Sequence, residues 1–192
     1  MGHRDYARPT VSTPEFKSPL QPGRSGIREV WSQAWPTVAT MTSYTVMGFV
    51  DALMVARLGP TEFAAQGNGG IWSFLPISLV FGVLTVVNTF VAQNVGAGRG
   101  TETARYGWAG LWLGVFAWLF LLLPWAVLLP LLFRLSGHHP ELIDMEVEYA
   151  WILLLGGVVL LGGKGMSHWF FGYQRPRVIT VAALAANGVN IF

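Results

Sequence analysis

The residues YGWAGLWLGVFAWLFLLLPWAVLLPLLF, which run from Tyr106 to Phe133, decide the fold. This stretch contains no Asp, Glu, Lys, Arg or His. As an α-helix its 28 residues would measure about 42 Å, because each residue adds about 1.5 Å. That length exceeds the hydrocarbon core of a bilayer, which is about 30 Å thick. The stretch therefore predicts a membrane-spanning helix that is tilted or has protruding ends.

Further apolar stretches lie on both sides of it, each bounded by charged or turn residues. The predicted helices cover residues 30–57, 69–92, 106–133, 149–171 and 178–192. These runs are long and continuous, whereas a membrane-barrel strand alternates over about ten residues. The last run has 15 residues, fewer than the roughly 20 that cross a bilayer. We therefore expect an all-α integral membrane protein, a polytopic bundle of about five helices in which the last is incomplete.

The composition of the whole chain agrees with a membrane protein. Of its 192 residues, 53% are apolar and 11% are charged, whereas a typical soluble domain has about 25% charged residues. The mean hydropathy is +0.48. The net charge is only +2 and cysteine is absent, which argues against disorder, nucleic-acid binding and a disulfide-rich secreted scaffold. The expected partner is the lipid bilayer and not a nucleic acid.

Residues 1–29 predict a disordered cytoplasmic tail before the bundle at 30–192. Four prolines interrupt any helix there, and no apolar segment follows the first basic residues, so we expect no cleaved signal peptide. Lys and Arg residues in the tail and links number nine on the side of the N-terminus and two on the other. Because cytoplasmic loops carry this excess, we predict a multi-pass protein of the inner or plasma membrane with a cytoplasmic N-terminus. The acidic link at 141–148 then lies outside.

One face of the first predicted helix is polar. Its residues follow one another at the helical spacing of three or four: Gln33, Thr37, Thr40, Tyr44, Gly48 and Asp51. Asp51 is the only acid inside a predicted span, where a carboxylate costs about 2.5–3.5 kcal/mol on insertion scales. We therefore expect it to face protein or a water-filled cavity and to bind a proton or a small cation. The alternative is that Asp51, six residues before Arg57, lies at the outer headgroups and only caps or solvates the helix end.

Two other pairs of polar residues lie within predicted spans. Lys164 and His168 are four apart in the fourth span. A charge relay there competes with a simpler interpretation, in which the lysine reaches the interface or a carbonyl and the histidine is solvated. Asn187 and Asn190 are three apart on the last helix, where amides either join helices or ligate cations, and joining helices is the more common use.

The remaining polar and aromatic patterns indicate no further chemistry. His138 and His139 precede Glu141 and Asp144, but adjacent histidines cannot both point inward from one helix face, so a solvated loop is expected and no metal site. The nine tryptophans lie mostly near span ends or in the third span, as interfacial belts do. No phosphate loop and no catalytic nucleophile with its base is evident.

Three sequence blocks together resemble the N-terminal half of the multidrug and toxic compound extrusion (MATE) transporters. The first is MGFVD at 47–51 with RLG at 57–59, the second is AQNVGAGR at 92–99, and the third is FGYQRP at 171–176. The first two are fairly specific in combination and the third is looser. The resemblance covers about residues 28–192, which is everything but the tail.

The resemblance implies a secondary antiporter, not an enzyme, that expels small organic cations or amphipathic compounds in exchange for protons or sodium, with no other cofactor. The family has two lobes of six helices each, so the resemblance implies a truncated N-lobe whose C-terminal lobe is missing. Asp51 stands where the family places a first-helix acid implicated in cation or proton coupling. Asn190 resembles the fifth-helix amide near that acid, whereas Lys164 matches no family pattern.

The polar residues of the first and last helices are then candidates to line the transport pathway: Gln33, Thr37, Thr40, Tyr44 and Asn187. Three alternatives stay open. One is a flippase for lipid-linked intermediates from the same superfamily, which pocket size would distinguish. Another is an intramembrane enzyme in which Lys164, His168 or Asp51 converges with a nucleophile. The third is a non-transporting scaffold or remnant without a cavity.

Overall fold

The computed structural model describes residues 26–191, without the side chains of Arg28, Glu29, Ser32, Gln33 and Ile191. Within this range every element is a helix: α1 Gly26–Ala56, α2 Pro60–Gly96, α3 Ala104–Ala117, α4 Leu123–Leu135, α5 Pro140–Gly172 and α6 Pro176–Ile191. A short 3₁₀ turn, Gly100–Thr103, leads into α3, and a π-helical segment, Trp118–Leu122, joins α3 to α4. The tail expected at 1–29 lies outside the described residues as far as position 25.

Four described segments are long and apolar enough to cross a membrane: Ala34–Ala56, Pro60–Gly96, Gly100–Leu135 and Pro140–Gly172. The third contains α3, the π-helical segment and α4 in one run, so 106–133 lies within a single span. With 16 residues, α6 is shorter than the roughly 20 that a bilayer requires. The described helices confirm the predicted all-α, polytopic membrane fold.

Helices α2 and α5 begin nine residues before the apolar stretches of the sequence do. Each starts at a proline, Pro60 and Pro140, which suits the first helical turn because the N–H that proline lacks has no partner there. Polar residues in a helix end do not interrupt the helix. The expected acidic link at 141–148 is therefore about the first two turns of α5, and its description as a link is wrong.

Glycines let α2 and α5, which run parallel, touch along their backbones. A Cβ on Gly69 would lie 3.0 Å from the carbonyl oxygen of Glu146, and one on Gly172 would lie 2.7 Å from that of Asn88. Small residues at helix contacts are typical of membrane bundles, in which packing replaces the hydrophobic effect between helices. These two helices form the centre of the bundle, together with α4.

The π-helical segment gives the third span its shape. The N–H of Leu123 bonds to the carbonyl of Trp118, five residues back, directly before Pro124, which has no N–H to offer. The segment ends at Leu122, which is fully buried and fills the space at Gly157 on α5, where a Cβ would lie 2.7 Å from its Cδ2. The side chain at the end of the π-helical segment therefore packs against α5 where Gly157 has no side chain.

Four tryptophan indoles join neighbouring segments by donating to backbone carbonyls. The bonds measure 2.9–3.0 Å and run from Trp118 to Leu154, Trp125 to Trp72, Trp151 to Ala126 and Trp169 to Thr103. Each indole N–H that leaves water thereby gains a partner. These tryptophans serve helix packing, a role that the predicted interfacial belts did not include.

Helix α1 packs mainly against α6 and less extensively against α2, while α6 also touches α5. The core of the bundle lies elsewhere, on α2, α4 and α5, and contains Leu84, Leu129, Phe133, Leu154 and Leu161. Helices α1 and α6 thus form a pair at the edge of this core. The space between this pair and α5 holds the candidate site.

Candidate functional site

A cavity of about 370 Å³ lies between α1, α5 and α6. Its volume falls in the range of small-molecule pockets, about 300–1,000 Å³. The walls are mostly apolar, and the polar side chains among them are Thr40, Tyr44, Lys164 and Ser167. An apolar space with few polar groups suits the body of an amphipathic small molecule.

Thr40 holds α1 to α6 beside this cavity. Its side chain is 4% exposed, and its Oγ1 donates to the carbonyl oxygen of Pro36 at 2.8 Å. Thr180 Oγ1, from α6, lies 3.1 Å from Thr40 Oγ1 and 3.1 Å from the same carbonyl oxygen. Since these hydroxyls satisfy one another, Thr40 contributes to the cavity wall mainly by fixing the helix pair. The sequence offered no signal for Thr180.

Asn187 joins the same two helices about two turns further along α6 and about one turn further along α1. Its Nδ2 donates to Ser43 Oγ on α1, and the residue is 6% exposed. Its Oδ1 is buried and has no hydrogen-bond partner among the described residues. A buried, unpaired carbonyl oxygen is an acceptor that a water or a small cation can use. Of the two uses expected for this amide, the structure shows helix joining.

The other candidates on α1 differ in their surroundings. Tyr44 lines the cavity and is 45% exposed. Thr37 is half-buried and is not among the cavity-lining residues. Gln33 belongs to α1, but its side chain lies outside the described part of the protein.

Asp51 is half-buried near the C-terminal end of α1, and Asn190 is exposed near the end of α6. Within the described residues, no hydrogen bond or ion pair joins Asp51 to another side chain. The two helices run parallel with Ser43 level with Asn187. Asp51 lies eight residues after Ser43, and Asn190 lies three residues after Asn187. The two residues are therefore offset by five residues, or about 7.5 Å along the helix axes. No described hydrogen bond joins Asp51 to Asn190, and Asp51 is not among the cavity-lining residues.

Lys164 is the one charged side chain in the described wall of the cavity. Its Nζ lies 5.0 Å from the ring centroid of Phe81 on α2, a cation–π distance. Among the side chains that the structure describes, no carboxylate lies within 4.0 Å of it. His168, one turn further on, is not solvated as expected, because its Nε2 is buried and its ring lies beside Phe171. No described nucleophile–base pair forms here.

A second buried polar group lies where α2 and α5 begin. Glu146 is 0% exposed, and Asn68 Nδ2 donates to its Oε1 at 2.7 Å. His138 Nδ1 lies 3.0 Å from Oε1 and 3.1 Å from Oε2. The expectation of a solvated loop is therefore wrong for His138, which is half-buried. His139 is exposed in the link, whereas Glu141 and Asp144 are exposed but belong to α5. No described group of three or more potential ligands could hold a metal ion.

Sequence reasoning missed Glu146, although a signal for it existed. Ile143, Glu146 and Ala150 follow at spacings of three and four and are all buried, so Glu146 continues the buried face of the apolar helix. Because Glu146 lies in the acidic run at 141–148, it was interpreted as part of an exposed link. Asn68 and His138 had no such signal, because they come from other segments.

The chain is similar to one protein family and to several curated proteins. The MatE family model matches residues 36–192. A probable multidrug resistance protein NorM from Synechococcus sp. is 29% identical over 171 residues, covering 87% of this chain and 36% of that protein. The protein of the same name from Burkholderia pseudomallei is 31% identical over 162 residues, covering 83% and 34%. The one from Mesorhizobium japonicum is 27% identical over 182 residues, covering 90% and 38%.

The chain thus spans about a third of the length of these curated relatives. No solved structure matches it.

Proposed function

The chain belongs to the MatE family of membrane transporters, and from this premise we propose that it is part of a secondary antiporter that exports cationic or amphipathic compounds in exchange for protons or sodium. Members of this family are transporters rather than enzymes. The observation that carries the proposal is the cavity of about 370 Å³ between α1, α5 and α6, because α1 both lines this cavity and carries Asp51.

Helix α1 connects the two halves of the proposed exchange. Thr40 and Tyr44 place it in the cavity wall, and Asp51 supplies a charge near its C-terminal end that a proton or a sodium ion can neutralise. A substrate in the cavity and an ion at Asp51 then bias the position of the same helix, so each changes the affinity for the other. Pro36 lies inside α1, where a proline lets a helix bend.

The size of the cavity favours small compounds. A space of about 370 Å³ suits a molecule of drug size, whereas a lipid-linked intermediate is far larger, so efflux is a better fit than flipping. A lipid-buried scaffold would need no cavity beside its polar helix face. The relatives are bacterial proteins named for multidrug resistance, which supports an inner-membrane location. We retain the cytoplasmic N-terminus from the charge distribution.

The proposal is tested by filling the cavity without disturbing helix contacts. Gly163 lines the cavity, and a Cβ on it would meet nothing within 4 Å. In a full-length transporter that contains these residues, Gly163→Leu should reduce export of a fluorescent cationic dye several-fold. The dye is loaded into proteoliposomes, and a proton or sodium gradient is imposed.

Gly156→Leu is the matched control. Gly156 is on the same helix and equally open, but it does not line the cavity, so this variant should transport like the wild type. Gradient-driven export that is equal in the two variants would show that the cavity is not the substrate site.

A further inference from the structure

Glu146 lies outside the cavity and away from the polar face of α1, yet it is fully buried. Three segments meet at its carboxyl group, since Asn68 belongs to α2, Glu146 to α5 and His138 to the link before α5. A buried carboxyl group is costly unless partners satisfy it. The hydrogen-bond partners of the Glu146 carboxyl group therefore restrict which of the neighbouring nitrogen and oxygen atoms carry a hydrogen.

Only one proton can lie between Glu146 and His138. The amide nitrogen of Asn68 can only donate, so Oε1 of Glu146 accepts its bond at 2.7 Å. An ionised carboxylate also needs a hydrogen on Nδ1 of His138, which lies 3.0 Å and 3.1 Å from its two oxygens. With Glu146 as the carboxylate, the imidazole donates from Nδ1 and its Nε2 keeps a free lone pair, whereas a protonated Glu146 would itself donate to Nδ1.

That lone pair gives the site a place for a second proton. The His138 side chain is 31% exposed, whereas that of Glu146 is 0% exposed, so water reaches the imidazole and not the carboxylate. A proton taken from water onto Nε2 creates an imidazolium beside the carboxylate, and no other bond breaks. The pair then changes from a net negative charge to a neutral ion pair, which a buried site favours.

No other described charge competes for this pair. The ionisable side chains on the surrounding elements are Asp51 and Arg57 at the end of α1, Glu62 on α2, Arg134 on α4, His139 in the link, and Glu141, Asp144, Glu148 and Tyr149 on α5. In the described part of the chain, none of the charged groups among them forms an ion pair with His138 or Glu146 within 4.0 Å. The pair acts as a unit, with Asn68 as its neutral donor.

We propose that His138 and Glu146 form a proton-binding site, separate from Asp51, whose exchangeable proton on Nε2 strengthens the junction of α2, α5 and the link between α4 and α5. The site lies at the end of the bundle that the charge distribution places outside. It responds to the pH of one aqueous side. This inference does not depend on transport.

Nitrogen-15 NMR of the histidine-labelled protein in lipid nanodiscs tests the position of each proton, since the full chain has 4 histidines. In the wild type, Nδ1 of His138 should carry a proton in both states of the ring, and the second proton of the charged ring should be on Nε2. In Glu146→Gln, the amide oxygen still accepts from Asn68 and the amide nitrogen donates to Nδ1, so the neutral ring should switch its hydrogen to Nε2. Glu148→Gln, which alters an exposed acid of the same helix, should leave the wild-type pattern.

A wild-type Nδ1 without a proton, or a pattern unchanged by Glu146→Gln, would overturn the proposal. If Glu146→Gln does not fold, a substitution of His138 provides a second test. His138→Gln can still donate to Glu146 but cannot take up a proton. Unfolding separates the pair, so the wild-type melting temperature should depend on whether Nε2 of His138 carries its proton, because only the charged ring forms the ion pair. His138→Gln should lose this dependence while His139→Gln keeps it, and equal dependence in both variants would also overturn the proposal.

Discussion

Gly110 and Gly165 bring the backbones of α3 and α5 into direct contact. A Cβ on Gly165 would lie 3.0 Å from the carbonyl oxygen of Gly110 and 3.6 Å from its Cα. Because no side chain separates the helices at this level, the third span approaches α5 more closely than larger residues would permit. The centre of the bundle depends on this approach, since α5 also packs against α2.

Gly165→Leu should therefore destabilise the bundle, by about 1–3 kcal/mol, as overpacking does. Thermal unfolding in detergent, followed by circular dichroism, measures the effect. Gly156→Leu on the same helix is the control, because a Cβ there meets nothing within 4 Å. Similar melting temperatures for the two variants would mean that the backbones do not touch at Gly165.

The indole hydrogen bonds give a second stability prediction. Trp125→Phe keeps an aromatic ring against Trp72, which stacks with it at 6.3 Å, but removes the N–H that donates to the carbonyl of Trp72. The free energy of unfolding should drop by about 1 kcal/mol. Trp112→Phe should change it little, because Trp112 is exposed and its indole has no hydrogen bond within residues 26–191. Equal losses from the two substitutions would contradict the role given to the indole donors.

Lys164 should influence which charges the cavity accepts. A positive side chain in the cavity wall repels a cation by about 1–2 kcal/mol at intermediate dielectric and a separation of about 8 Å. In the full-length transporter, Lys164→Gln should lower the KM for a cationic dye several-fold and leave that for a neutral dye unchanged. Lys164→Arg keeps the charge and should behave like the wild type. A KM for the cation that does not respond to Lys164→Gln would place the ammonium group away from the substrate.

We predict the membrane orientation from the distribution of Lys and Arg. The chain has no native cysteine, so single cysteines introduced as Lys17→Cys and Asp144→Cys report their own positions. A membrane-impermeant maleimide should modify only Asp144→Cys in intact cells, and both variants after permeabilisation. Labelling of Lys17→Cys in intact cells would reverse the orientation.

The fold was accessible from the sequence because lipid-facing helices must be apolar over their whole length. Residues 106–133 predicted a single span, and the structure contains it in Gly100–Leu135. Apolar content does not report where a helix starts once it has left the bilayer, so the starts at Pro60 and Pro140 were missed. The π-helical segment before Pro124 was also missed, since a proline is compatible with a kink, a wide turn or a helix start.

The candidate site was only partly accessible. Spacing on α1 identified Thr40 and Tyr44, which line the cavity. It did not identify Thr180 or the partners of Glu146, because contacts between helices depend on rotation and register, which the pattern of one helix leaves open. Glu146 shows the limit most clearly: its helical spacing was visible, but its burial depends on Asn68, 78 residues away.

Asp51 is the residue on which the proposed coupling depends, and Asp51→Asn in the full-length transporter tests it most directly. The amide keeps the shape of the side chain but cannot exchange a charge, and the substitution is at a half-buried position without a described hydrogen bond. Asp144→Asn, at an exposed position on α5, is the matched control. The measurement is export of a cationic dye from proteoliposomes under an imposed proton or sodium gradient. We expect Asp51→Asn to fall to the level of empty liposomes while Asp144→Asn matches the wild type, and gradient-driven export by Asp51→Asn at the wild-type rate would contradict the account.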